Sequence, residues 1–182
     1  MWAVAAVGRL VPIKRFGDFV TMVAGDGRLR GDIFGDGPLR EDIEAGAQAI
    51  TTRGYHEIRL LGSRDAAWLA AEAPAYRAAC LPFKATADGN RETGPLVVKE
   101  AMAMGLPIVT TLNAGSQVRD GKEGLIVSCG DMDGYHEAIN KLIAEPNTRL
   151  AMGNAARKRA MTFDMTWYQD ALVSTLEAFL HA

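Results

Sequence analysis

The sequence predicts an α/β domain built as a doubly wound parallel sheet, with a helical C-terminal extension. Three observations point to it. Short apolar runs alternate with segments of helical period along most of the chain. The runs are rich in Val, Ile and Leu, as strands covered on both faces are. Turns carrying Gly, Asp or Pro separate many of them.

The first element is Trp2–Val7, a buried strand ending at Gly8-Arg9-Leu10. A helix from about Arg15 to Ala24 runs into the turn Gly25-Asp26-Gly27. Asp32-Ile33-Phe34 is a second strand, stopped by Gly35-Asp36-Gly37-Pro38. Leu39 to about Thr52 is helical, with Glu41, Asp42 and Glu44 in the first turns, where acidic groups suit the helix dipole. Glu57–Leu61 is a third strand before Gly62, and a helix over Asp65–Glu72 leads to a fourth strand, Ala75–Leu81. Pro82 to Asn90 reads as polar loop. Pro95–Met104 is a helix, with Pro95 at its first position and Gly105 at its C-terminal cap. Ile108–Thr111 and Gly124–Ser128 are strands, followed by helices over Met132–Ala144, Thr148–Met161 and Met165–Leu180. No repeat, low-complexity stretch or linker interrupts the series. Residues 1–162 form one domain and residues 163–182 a separate terminal helix.

Bulk properties narrow the function. With 48% hydrophobic and 23% charged residues, the 182-residue chain has enough apolar material for one sizeable core. A net charge of −2 offers no global attraction for nucleic acid or anionic lipid. Met1–Val7 is too short to span a bilayer, and the uncharged run Ala101–Val118 is broken by Gly105-Leu106-Pro107 and Asn113–Gln117, so no transmembrane segment is expected. Cys80 and Cys129 lie in apolar stretches without metal-ligand spacing and are expected to be buried thiols in a reducing cytoplasm. His56, His136 and His181 are scattered, so no metal site is expected.

In such sheets ligands sit outside the carboxyl ends of the strands, and three loops there carry chemistry. Gly8–Lys14 places Arg9 and Lys14 between a strand and a helix. Arg grips phosphate oxygens in a fork, while Lys adds a mobile point charge. In Arg91–Glu100, the carboxylates Glu92 and Glu100 flank a helix start, with Glu100 roughly 7–8 Å along the axis from Pro95. Between them the free N–H groups of Leu96 and Val97 form an anion site; Pro95 contributes none. A ligand with a sugar, a diphosphate and a ribose would meet Glu92, then the helix start with Arg9 and Lys14, then Glu100; carboxylates accept hydrogen bonds from vicinal hydroxyls. Taken singly, each feature has a plainer reading: solvated surface cations, a helix-surface glutamate, and, for Gly35–Pro38, a simple strand-to-helix turn.

Their order is distinctive. Val7–Lys14, Phe34–Leu39 and Leu61-Gly62 precede Glu92…Glu100-Ala101-Met102-Ala103-Met104-Gly105-Leu106-Pro107-Ile108-Val109, and Asp120–Val127 follows. This pattern resembles the C-terminal, donor-binding domain of retaining GT-B glycosyltransferases of glycosyltransferase family four (glycosyl transferases group 1), over nearly the whole chain. Asp88–Glu92 is similar to members that build exopolysaccharides and lipopolysaccharides. The resemblance implies a Rossmann-like sheet forming the C-terminal half of a GT-B fold. It implies that Arg9 and Lys14 neutralise a donor diphosphate, that Glu92 contacts the transferred sugar, and that Glu100 binds the ribose. Gly94, Pro95 and Leu96 would face the sugar and phosphates, Gly8 would turn the first loop, and the base would lie near Gly62, Ser63 and Arg64. No cofactor or metal is implied; the nucleoside diphosphate sugar is the substrate.

The resemblance also implies a hexosyltransferase with a glycan or lipid-linked acceptor. Full enzymes of this type carry an N-terminal domain for the acceptor, and this sequence starts at the first strand of the second. The isolated chain is therefore expected to be inactive alone and cytoplasmic, peripheral to a membrane only through the missing domain. Two departures stand out. Thr93 replaces a common glycine, and Asn113–Gln117 is shorter than the usual loop and lacks its glutamate. Other readings are a non-catalytic nucleotide-binding or interaction module of the same fold, or another GT-B enzyme such as a phosphorylase, whose pyridoxal-phosphate lysine motif is not found.

Overall fold

The computed structural model describes residues 1–51 and 57–163, apart from the side chains of residues 115 and 116. The expected helix Met165–Leu180, His56 and His181 lie outside the described residues.

Six strands form one sheet: β1 (Trp2–Val7), β2 (Leu29–Phe34), β3 (Glu57–Gly62), β4 (Ala79–Leu81), β5 (Ile108–Thr110) and β6 (Gly124–Ile126). Their order is β3-β2-β1-β4-β5-β6, with every pairing parallel. The chain winds outward from β1 in one direction and then returns to the other side of β1 with β4. The β1/β4 boundary is therefore the point where the winding reverses and where loops diverge to leave a crevice.

Alternation along β1 divides the core. Val4 and Ala6 join a cluster with Phe19, Val23, Ile43 and Ile139, from α1 (Phe16–Ala24), α2 (Arg40–Thr51) and α5 (Met132–Ala144). Ala3 and Ala5 join one with Val98, Ala101, Met102 and Ala156, from α4 (Leu96–Ala103) and α6 (Pro146–Ala160). The short α3 (Ala66–Glu72) packs on this second face through Leu69. Period-two side chains on a sheet covered by helices on both faces give this two-sided core. Helix starts follow their caps: Asp65 accepts from Trp68 N–H at 2.8 Å, and Asp131 from Gly134 N–H at 2.9 Å.

Four sequence expectations shift. The fourth strand, Ala79–Leu81, is shorter than expected: Ala73–Ala75 is a 3₁₀ turn holding Pro74 and closed by Tyr76 N–H to the Ala73 carbonyl at 3.0 Å, and bonding to β1 begins at Arg77, whose N–H donates to Ala3 O at 2.8 Å. Proline fixes the turn and cannot donate to a ladder. Pro95 is extended (ψ 126°) and caps α4, so the helix starts at Leu96. Asn113–Gln117 is not open loop but part of a 3₁₀ segment, Leu112–Gln117, started by Thr111 Oγ1 accepting from Asn113 N–H at 3.2 Å. Cys80 is buried, and burial pushes its thiol pKa up, whereas Cys129 is only half-buried.

One buried charge network lies within the sheet. Asp32 and Arg59 face each other on β2 and β3, and the Arg59 guanidinium donates to both Asp32 oxygens at 2.7 Å each. Tyr76 Oη donates to Asp32 Oδ2 at 2.8 Å. Burial alone would raise the Asp32 pKa; the hydrogen bonds from Arg59 and Tyr76 outweigh it and hold the carboxyl below its ordinary value. Tyr76 moves the other way, its pKa raised by burial and by that same carboxylate.

Candidate functional site

The loops after β1, β2 and β3 are stitched to one another by backbone. Gly8 N–H donates to Phe34 O at 2.9 Å, Leu10 N–H to Asp36 O at 2.9 Å, Leu39 N–H to Leu10 O at 3.1 Å and Gly35 N–H to Gly62 O at 3.0 Å. The approach is close enough to demand glycine. At Gly35 (φ +145°) a β-carbon would stand 1.9 Å from Gly8 O, and at Gly37 (φ +157°) one would stand 2.7 Å from the Leu10 backbone. Above these loops opens a cavity of about 390 Å³, lined by Gly8, Arg9, Asp36, Ser63 and Arg64 with Val7 and Phe34 beneath. Of the residues expected to bind a donor, Gly8, Arg9, Ser63 and Arg64 therefore share one space, and the Gly62 carbonyl ties its frame.

Arg9 is exposed and forms no ion pair among the described residues. Arg64 stacks its guanidinium over the Trp68 ring at 5.3 Å, and Trp68 in turn lies 5.5 Å from Phe34. A cation over an aromatic face forms a flat wall of the kind on which a planar ring stacks.

Lys14 is separate from Arg9. A 3₁₀ turn over Pro12–Lys14 ends at Arg15, whose φ of +53° is the one left-handed value outside glycine among the described residues. That corner turns the chain into α1, and Arg15 is pinned by Asp18, Nε to Oδ2 at 3.0 Å and Nη2 to Oδ1 at 2.7 Å. Strained backbone of this kind persists where neighbours hold it. Lys14 crosses the β1/β4 boundary to Glu92, Nζ to Oε1 2.5 Å, and its ammonium lies 4.6 Å above the Phe83 ring. Arg9 thus faces the open cavity and Lys14 faces the Glu92 carboxylate, and the Lys14 stem stays beside that cavity, 3.8 Å from where a β-carbon on Gly8 would stand.

The α4 start lies along the same crevice. Val98 N–H is taken by Pro95 O at 3.1 Å, leaving the first-turn N–H groups of Leu96 and Val97 without an intrahelical acceptor. The Leu96 side chain is 66% exposed, so the helix end faces solvent, while the Val97 side chain belongs to the core. Gly94 is exposed beside Gln117, whose Nε2 would be 3.3 Å from a β-carbon there. Gln117 is 6% exposed, and its Oε1 is buried without a hydrogen-bond partner. Glu100 sits one turn further on, at the rim of a narrow apolar recess with Glu72, Tyr76, Val97 and Met104. That recess shares Val7 and Phe34 with the Arg9 cavity, so the two adjoin.

Three contributors escape the sequence reading. Phe83 is 1% exposed, inside a segment that reads as polar loop. Glu72 and Gln117 carry no motif; only their positions, at the end of α3 and after β5, place them by the crevice. Among the described residues no group of His, Cys, Asp or Glu is arranged to hold a metal ion, and no helix is long and apolar enough to cross a membrane.

The fold and crevice define a class: a parallel doubly wound domain with cations, a helix N-terminus and carboxylates gathered where the winding reverses. Residues 2–145 match the family described as glycosyl transferases group 1, and the chain belongs to that family. It is 31% identical over 160 residues to the lipopolysaccharide core biosynthesis glycosyltransferase LpsE of Rhizobium meliloti (strain 1021), covering 81% of this chain and 42% of that protein. It is 35% identical over 99 residues to the D-inositol 3-phosphate glycosyltransferase of Corynebacterium jeikeium (strain K411), covering 53% of this chain and 23% of that protein. The chain thus spans under half the length of either relative. Among solved structures it superposes on Anabaena Alr3699/HepE in complex with UDP with a TM-score of 0.82 at 19% identity, covering 97% of this chain and 49% of that one. The pneumococcal O-GlcNAc transferase GtfA in complex with UDP and GlcNAc gives 0.76 at 18%, covering 100% and 36%. These structures establish the fold: the Rossmann-like α/β architecture of GT-B glycosyltransferases.

Proposed function

We propose that this chain binds the donor of a glycosyltransferase that moves a hexose from a nucleoside diphosphate sugar to a glycan or lipid-linked acceptor with retention of configuration. The observation that carries it is the Arg9 cavity opening beside the Lys14–Glu92 pair and the α4 start. In this reading the base lies against Ser63 and Arg64, and Glu100 accepts from the ribose hydroxyls. The diphosphate lies between Arg9 and the N–H groups of Leu96 and Val97. A second domain supplies the acceptor, and no metal or other cofactor takes part.

The chemistry follows from charge. As the bond between the anomeric carbon and the β-phosphate oxygen breaks, its electron pair passes to the phosphate. Arg9, Lys14 and the α4 dipole stabilise that growing charge, and fixed cations and N–H groups aimed at developing charge lower a barrier most effectively. Glu92 orients the sugar through its hydroxyls. Glu92 and Glu100 flank one helix start on the same side of the ligand and do not face each other across a bond, so neither acts as the nucleophile of an acid/base pair.

The test is thermal melting and calorimetry of the chain with UDP, GDP and their sugars. A ligand that binds the native state raises the melting temperature by an amount that grows with the logarithm of its concentration above Kd. Such a shift with one nucleotide class, matched by saturable heat in calorimetry and reduced in Arg9→Ala, is expected. No shift and no heat with any of them would refute the reading.

A further inference from the structure

We propose that Phe83 is a positioning residue for Lys14: its ring is the platform on which Lys14 exchanges the Glu92 carboxylate for the diphosphate of the donor. The proposal rests on the donor-binding reading above and adds to it the group that keeps Lys14 in place during the exchange.

Several contacts fix Phe83. Its ring is 1% exposed, and Lys14 Nζ lies 4.6 Å from the ring centroid. Its carbonyl accepts from Thr111 Oγ1 at 2.5 Å and from Asn113 Nδ2 at 3.4 Å, tying it to the segment after β5. The next residue, Lys84, donates its N–H to Ile13 O at 3.0 Å, one position before Lys14. The backbone that carries the ring is thus held to the Lys14 loop on one side and to the segment after β5 on the other.

The chemistry of the two partners differs. Glu92 neutralises Lys14 and competes with an incoming phosphate for it. The ring attracts the ammonium through its quadrupole, leaves the positive charge undischarged, and offers no acceptor atom to compete. When diphosphate displaces Glu92, Lys14 loses one partner and keeps the other. It is therefore presented to the ligand without first paying the entropy of immobilising a long flexible side chain. The released Glu92 becomes available to sugar hydroxyls in the same step, so diphosphate capture and sugar recognition are coupled through one lysine.

A double-mutant cycle on UDP and GDP affinity tests this by calorimetry, using Phe83→Leu, Lys14→Ala and the two combined. Phe83→Leu is expected to weaken nucleotide binding roughly tenfold in the parent chain and to have no further effect once Lys14 is alanine. Equal weakening in both backgrounds, or unchanged affinity in the first, overturns the proposal, because the ring would then act on general packing or on nothing. Should melting show Phe83→Leu to be unfolded, Phe83→Met removes the π face with an unbranched side chain that adapts to an irregular gap, with the same outcomes. Failure of the unsubstituted chain to bind either nucleotide would refute the donor-binding reading itself, and this inference with it.

Discussion

Lys14 and Glu92 meet at 2.5 Å across the crevice, although one ends the loop after β1 and the other precedes α4. Their side chains are 13% and 20% exposed, so the pair is shielded from water and each charge depends on the other. Replacing the carboxylate with its neutral isostere, Glu92→Gln, removes the competitor for Lys14. Affinity for UDP or GDP alone should then rise roughly threefold to tenfold, while the extra affinity contributed by an attached sugar disappears. Calorimetry with the nucleotide and its sugar, side by side, checks both signs.

Among the described residues Arg9 forms no ion pair or side-chain hydrogen bond, although Asp36 lines the same cavity. Arg9→Ala should therefore leave the melting temperature unchanged and weaken nucleoside diphosphate binding by roughly 10- to 100-fold, the worth of a charge-assisted hydrogen bond. The salt dependence of binding should become shallower in the variant. Unaltered affinity would remove Arg9 from the site.

The strand and helix order was legible because apolar periodicity and turn residues agree along the chain. The β4 start was not: Ala75 looks continuous with the apolar run, yet it belongs to the 3₁₀ turn around Pro74, and bonding to β1 begins only at Arg77. The site was legible as residue types on loops, but not as pairings. Nothing in the spacing of Arg9 and Lys14 says that one faces an open cavity while the other turns to Glu92, because Glu92 is brought to Lys14 only by the fold. Phe83 was hidden because Pro82 before it and the polar run from Lys84 to Asn90 after it read together as loop. Asp32 had a usable signal: it is the one acidic residue on β2, and the parallel register sets it beside Arg59 of β3.

Asp32 is fully buried, and Asp32→Ala strands the Arg59 guanidinium and the Tyr76 hydroxyl. Breaking a fully buried pair costs about 3–5 kcal/mol, but the Arg59 side chain is 40% exposed and rehydrates, so a loss on the order of 2–3 kcal/mol is expected. In a domain of this size that lowers the melting temperature by roughly 5–10 °C.

Acid should unfold the chain through the same kind of group. Arg28 hydrogen bonds hold Asp26 at about 2, and Asp32 also lies below its ordinary value. Carboxyls depressed in the folded state stabilise it fully above their unfolded pKa, about 3.9, and lose that contribution as pH falls through the folded value. The melting temperature should hold above about pH 5 and fall steeply between about pH 4 and 2. The combined Asp26→Asn and Asp32→Asn variant should show a flatter dependence there.

Two glycine-to-alanine changes should have opposite signs. Gly35→Ala forces a β-carbon to within 1.9 Å of Gly8 O at a φ of +145°, and is expected to cost at least about 2 kcal/mol and to abolish nucleotide binding. Gly46 lies within α2 with nothing near a β-carbon, so Gly46→Ala should stabilise the chain by about 0.5–1 kcal/mol. Denaturant titration of both variants distinguishes a local steric limit from a general sensitivity to substitution.

The backbone stitching of Gly8, Leu10, Gly35 and Leu39 means that the frame under the Arg9 cavity is set by main chain and glycine. Such a frame admits few substitutions, because almost any added atom separates the loops. Ser63 and Arg64 line the same cavity with side chains that hold up none of those contacts. The protein therefore keeps a fixed part and a replaceable part in one pocket. On the proposed reading, in which the base lies against Ser63 and Arg64, substitutions there alter which base is accepted while leaving the loop frame intact.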